Sequence, residues 1–293
     1  MQPKQAIGKS HHDLTKHSYH SVLINPNYVD PSTQPRSFKS YPHFYRRFNL
    51  DLNNPIHKFI WLTSTITCEK HYQNSAYQLR VNPSAGGLYP TEIYIQIRGV
   101  ENIIDGIYHL EVANNSLCLI YELIDDGLEN YIVPGKCISG FIFLISCVYY
   151  RSSWKYQDRG WRYCCLDSGH HLGAIAAAAY LHSRKVQLIF DFHKLALNSD
   201  LGFENQEFVT ACAISGEFQD KQVRSLRLKV PFVCGTDYFE ANQLIEDAYQ
   251  VTAVEASSLQ KLEFPLFSWE QERFLQAIWN RRSVRHFQSQ YHN

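Results

Sequence analysis

Two stretches of the chain bring together residues that could do chemistry. The first, NPSAGGLYP over residues 82–90, sets Pro83, Ser84 and Ala85 ahead of two adjacent glycines, Gly86 and Gly87, with Arg80 just upstream. Glycines in front of a strand let the backbone turn sharply and let another group come close to it. Small side chains and exposed backbone N–H groups suit a planar ring that packs flat and takes hydrogen bonds at its edge. The second, WKYQDRGWRYCCLDSGH over 154–170, supplies four cationic or phenolic side chains, Lys155, Tyr156, Arg159 and Arg162. Alone, the first stretch also fits a plain turn and the second a solvated charged loop.

Other chemistries lack their residues. The eight cysteines, at 68, 118, 137, 147, 164, 165, 212 and 234, contain no C-x-x-C pair, so neither a zinc site nor a disulfide framework is expected. Cys118, Cys147 and Cys212 lie in apolar runs and read as buried thiols. Of the 14 histidines, His170 and His171 are neighbours on an expected helix and point in different directions. His11 and His12 fall in a polar N-terminal segment. No metal site is expected. There is no G-x-G-x-x-G, no G-x-x-x-x-G-K-[ST], no G-x-S-x-G and no H-E-x-x-H, which removes the common nucleotide loops, the hydrolase elbow and the zinc-protease helix. Lys and Arg number 28, as do Asp and Glu, so the basic footprint of a nucleic-acid binder is missing. No apolar run reaches membrane-spanning length and the N-terminus has no apolar signal region, so a cytoplasmic location away from the membrane is expected.

The elements that must position the two stretches follow from pattern. Residues 1–57, polar and broken by Pro26, Pro31, Pro35, Pro42 and Pro55, predict an extended arm. A helix is expected over 56–67. Ile93, Ile95 and Ile97 alternate with Tyr94, Gln96 and Arg98 as a strand. Asn114-Asn115 between GIYHLEV and SLCLIYEL signals a hairpin. The apolar run 140–150 suits a central strand covered on both faces. A helix with a small-residue surface is expected over 164–183, a buried strand over 207–218, an amphipathic stretch over 241–262, and a last helix capped by Ser268 with Phe274 and Ile278 on one face. Strands and helices do not alternate strictly, which favours an α+β fold.

In this order and spacing, R-x-x-P-S-A-G-G-L-Y-P-x-E-x-Y, G-I-Y-H and K-Y-x-x-R-G-W-R-Y…D-S-G-H resemble the nitroreductase-like flavoproteins, and among them the SagB-type, azoline-oxidising dehydrogenases. QPRSFKSYP near the start also resembles that branch, and the likeness spans about residues 17–216. The resemblance implies a nitroreductase-like sandwich, a mixed and mainly antiparallel sheet flanked by helices, over 58–240. It implies an FMN-dependent oxidoreductase acting on a small molecule or a modified peptide. FMN would lie against Pro83, Ser84, Ala85, Gly86 and Gly87, with Arg80 and Arg159 in the cofactor set. Lys155 and Tyr156 match the pair that removes a substrate proton, and Arg159 is a nearby cation able to lower a pKa.

Three departures stand out. The family's R-x-S-x-R phosphate clamp is absent from 43–79, Asp167 stands where Glu is usual, and Leu172-Gly173 replaces Gln-Asn. An R-x-S-x-R motif occurs instead at Arg281, Ser283 and Arg285, so residues 241–293 resemble the start of a second, truncated domain of the same kind. The resemblance further implies a homodimer, in which one chain's tail serves the other's cleft, or association with a second nitroreductase-like domain. The competing expectation from the departures is a flavin-free partner or scaffold that keeps the fold.

Overall fold

The computed structural model describes residues 4–24, 29–72, 75–253 and 270–282. In chain order, α1 (Lys4–Thr15) and α2 (Tyr19–Ile24) precede β1 (Arg47–Asn49), α3 (Pro55–Leu62), β2 (Ile66–Tyr72) and β3 (Ser75–Arg80). Next come β4 (Thr91–Arg98), β5 (Gly106–Glu111), β6 (Ser116–Glu122), α4 (Glu129–Ile132), β7 (Cys137–Val148), α5 (Tyr150–Tyr156) and α6 (Gly160–Leu181). β8 (Gln187–Ile189), α7 (Lys194–Asp200), β9 (Glu207–Gln219), α8 (Gln243–Thr252) and α9 (Gln271–Asn280) complete the described chain. Seven strands pair antiparallel in the order β1-β6-β5-β4-β7-β9-β8, while β2 and β3 form a separate hairpin.

Alternation along the strands builds a layer on each side of this sheet. Ile93, Ile95 and Ile97 of β4 and Phe141, Phe143 and Ile145 of β7 face α3 and α6, where Phe59, Ile60, Leu172 and Ile175 meet them. Tyr94, Ile142 and Leu144 point the other way, toward α4, α7 and the strand-end residues Phe203 and Val209. Burying each such Ile or Phe contributes about 1.5–3 kcal/mol. The hairpin expected at Asn114-Asn115 forms, with Asn115 left-handed at φ 50°. The apolar run becomes β7, flanked by β4 and β9.

Three expectations are corrected. The helix at 56–67 stops at Leu62: Asn54 caps it through Ile56 N and His57 N, but Thr63, Thr65, Ile66 and Thr67 are β-branched and run into β2. The helix expected from 164 begins at Gly160, directly after α5 and a short 3-10 turn. At Gly160 a Cβ would lie 2.8 Å from Ser153 N, so the glycine lets the two helices close on each other. The N-terminal segment is not extended throughout, since α1 and α2 lie within it and β1 joins the sheet. Its Lys39 is buried: the ammonium donates to Glu207 Oε2 at 2.7 Å and to Tyr94 Oη at 2.9 Å. Ser268, the expected cap of the last helix, lies outside the described residues, and Glu270 holds the cap position.

Candidate functional site

The two stretches meet at one end of the central strands. Thr91, the first residue of β4, pairs with Cys147 near the end of β7. The loop entering β4 and the helix leaving β7 therefore emerge on the same side. The loop tightens into a 3-10 turn over Ala85–Gly87, with Gly86 at φ 64° and Gly87 at φ 67°. L-residues pay for that left-handed backbone and glycine does not.

Side chains from two elements fasten the loop. Asp167 of α6 accepts from Ser84 Oγ at 2.5 Å and from Ala85 N at 3.2 Å, while Ser84 Oγ itself accepts from Tyr89 N at 2.9 Å. Burial pushes the Asp167 carboxyl up to about 6, against the opposing pull of Ser84 and Ala85. From β3, Tyr77 donates to the Gly86 carbonyl at 2.9 Å, and a Cβ on Gly87 would fall 1.6 Å from the Tyr77 hydroxyl.

Lys155 and Tyr156 reach the same loop. A Cβ on Gly86 would stand 2.8 Å from Tyr156 Oη and 3.4 Å from Lys155 Nζ. Lys155 Nζ lies 5.7 Å from the Tyr156 ring centre, and the Tyr156 and Tyr163 rings are 4.1 Å apart. The two residues belong to the short helix α5 and not to a loop. Burial, then the neighbouring Tyr163, Asp167 and Tyr77, raise the Tyr156 pKa, so at neutral pH this group is a phenol that holds its proton. Arg159 is turned to the Thr15 carbonyl and to Tyr163 Oη. With Arg162, which donates to Thr15 Oγ1 at 2.7 Å and to His12 O at 2.9 Å, it pins α1.

Arg80 is fully buried, its guanidinium 4.6 Å from the Phe38 ring centre and 4.8 Å from that of Tyr89, with donations to Ser37 O and Thr91 O. Burial brings its pKa down to about 10. Arg281 lies beside its own chain's strand: Nη2 is 3.3 Å from Arg80 O, and Trp279 and Leu275 of α9 pack on Trp61 and the α3/α6 core. Ser283 and Arg285 lie outside the described residues. Pro83 lies between β3 and the 3-10 turn, just after the bend at Val81 and Asn82.

Polar groups on this side await partners. Asn82 is 1% exposed, yet neither Oδ1 nor Nδ2 has a hydrogen-bond partner among the described residues, and the buried Arg281 Nε has none either. Buried polar atoms of that kind are rare and costly unless something satisfies them. Sequence reasoning missed Asn82 and Tyr77. Asn82 is in the quoted motif but carries no chemical signal of its own, and Tyr77 reaches the loop only through the hairpin register. Among the described residues no group of three or more His, Cys, Asp or Glu is placed to hold a metal, and no helix is long and apolar enough to cross a membrane.

The architecture is the nitroreductase-like α+β fold. No family model matches the chain. A crystal structure of a candidate nitroreductase from Anabaena variabilis superposes with TM-score 0.71 at 23% identity, covering 95% of this chain and 64% of that one. A candidate nitroreductase of Methanocaldococcus jannaschii is 30% identical over 112 residues, 36% of this chain and 53% of that protein. The chain thus spans about half the length of this curated relative. A chain of the E. coli microcin synthetase complex McbBCD gives TM-score 0.44 at 16% identity, over 72% of this chain and 87% of its own, too distant to add to the fold assignment.

Proposed function

We propose that the chain is a flavin-dependent oxidoreductase of nitroreductase type, with FMN held beside residues 82–87. One observation carries the reading: a left-handed glycine turn, clasped by Asp167 and Tyr77, faces Lys155 and Tyr156 across Gly86. The orphaned Asn82 amide and Arg281 Nε fit the polar edge and the phosphate of such a cofactor. Ser84 and Gly86 would present backbone donors to its ring, while the Ala85 N–H stays on Asp167. Lys155 and Tyr156 are the far ends of flexible side chains, so they swing aside where a ring enters over Gly86. Bound FMN would supply hydride transfer to or from the substrate. The protein's part is to orient that substrate beside Tyr156 Oη, a proton donor because its phenol keeps its proton, and Lys155 Nζ, the group left to take the proton that an oxidation releases. The SagB-type likeness of the sequence motifs favours a peptide azoline as the first substrate to test, beside a small nitro compound or quinone. A second copy of the chain, or a second nitroreductase-like domain to which residues 241–293 contribute, would complete the cleft. The face of α6 at Leu166, Gly169 and Gly173 leaves it room: Leu166 is 58% exposed and nothing lies within 4 Å of a Cβ on either glycine.

Purified protein should be yellow and release FMN on heating. Lys155→Ala should keep the flavin while kcat for azoline oxidation falls on the order of 100-fold or more. Colourless protein that takes up no added FMN refutes the reading. It would favour the second one, a flavin-free partner with this fold, for which the Tyr156 and Tyr77 hydroxyls against the glycines speak.

A further inference from the structure

A separate concavity of about 930 Å³ opens beside α5, between the segment that follows α2 and the residues that lead into α8. Its size is that of a small-molecule or peptide-side-chain site. Three aromatic side chains wall it. Tyr150 and Tyr238 meet edge to face at 5.6 Å, and the Trp154 indole is fixed by donation to Thr33 Oγ1 at 2.9 Å. The charge around those rings has one sign. Asp30, Asp158, Asp237 and Glu240 line the cavity, and among the described residues no Lys, Arg or His does. Asp237 is paired with Arg36, which stands outside the lining, and Asp158 and Asp30 accept only from neutral donors, Asn242 Nδ2 and Ser32 N. Glu240 has no hydrogen bond or ion pair among the described residues.

We propose that this cavity binds an organic cation, the guanidinium or ammonium side chain of a peptide. Aromatic faces attract a cation through the ring quadrupole, and carboxylates spread around a recess raise the local concentration of positive ligands and repel anions. A bare metal ion does not meet the geometry, since the carboxylates do not converge into a group that could hold one. Trp154 is the residue before Lys155, so the cavity and the Lys155 side chain are set on the same short helix, and a peptide long enough to reach from one to the other would be a substrate. That last step rests on the oxidoreductase reading above; the binding itself does not.

Equilibrium titration of the full chain with Nα-acetyl-arginine amide tests it, with the neutral isostere Nα-acetyl-citrulline amide as control. The arginine probe should bind at least about tenfold more tightly than the citrulline probe and weaken as salt is raised. The double variant Asp30→Asn/Glu240→Gln should lose about tenfold in affinity for the arginine probe with unchanged thermal unfolding, because Asn keeps the Asp30 cap and Glu240 makes no contact. Trp154→Leu should weaken the same probe. Equal affinity for the two probes, no saturable binding at millimolar probe, or unaltered binding in the folded double variant overturns the proposal. Flavin content of the same preparations is read separately, so flavin-free protein that discriminates the probes refutes the redox reading and leaves the cation site standing.

Discussion

Replacing Asp167 by Asn should change how stability depends on pH, and the direction follows from burial. The carboxyl is 1% exposed and titrates at about 6 in the folded chain, against 3.8 as the ordinary value. Below the ordinary value both states are protonated and the group costs nothing. As pH rises through it, the unfolded chain ionises freely while the folded one must ionise a buried acid, so stability is lost until pH passes 6. At about 1.4 kcal/mol per pH unit, the full penalty is on the order of 3 kcal/mol, of which about 2 develops between roughly pH 4.5 and pH 7.5. Asn keeps an acceptor for Ala85 N but does not titrate, so its hydrogen bonds to the loop do not change with pH. Urea unfolding of both proteins at the two pH values isolates the term, since all other groups cancel in the difference. The wild type should lose about 2 kcal/mol relative to Asp167→Asn on going to the higher pH. A difference that stays constant, or that moves in favour of the wild type, refutes the claim that burial dominates this site.

Two further substitutions probe the loop and the core. Gly87→Ala should cost about 2 kcal/mol or more, because its Cβ collides with Tyr77 and its φ of 67° is left-handed; thermal unfolding should show a smaller cost in a Tyr77→Ala background. Lys39→Met should cost about 3–5 kcal/mol by leaving Glu207 buried without its cation, and denaturant unfolding of Lys39→Met/Glu207→Gln should recover part of it.

Where one element's own pattern decided the outcome, the sequence was legible. Period-two alternation placed Ile93, Ile95 and Ile97 on one face, Asn114-Asn115 marked its hairpin, and an unbroken apolar run became β7. Position in the α+β class followed from those strands. What was not legible depended on partners far away in the chain. Arg159 looked like a cofactor or pKa-tuning cation beside Lys155, yet Thr15, 144 positions upstream, claims it. Lys39 looked like one residue of a polar arm until β4 and β9 supplied Tyr94 and Glu207. The Lys155-Tyr156 pair read as part of a charged loop because α5 is seven residues long, too short to show helical periodicity. The glycines signalled close approach, and the approaching groups in the folded chain are the Tyr77 and Tyr156 hydroxyls.

The pairing of Thr91 with Cys147 ties the candidate site to the register of the central ladder. Residues 84–87 and 155–156 are about seventy positions apart, and the β4–β7 ladder brings them together with Asp167 and Arg151 as side-chain ties. Closing so long a loop is slow and is rewarded only when the ladder zips in register. A slip by one residue would also turn Tyr94 toward the apolar layer and the isoleucines away from it, so wrong registers are rejected by the core before the site can form. The Gly86 turn and Lys155 thus depend for their meeting on two central strands that are paired in register.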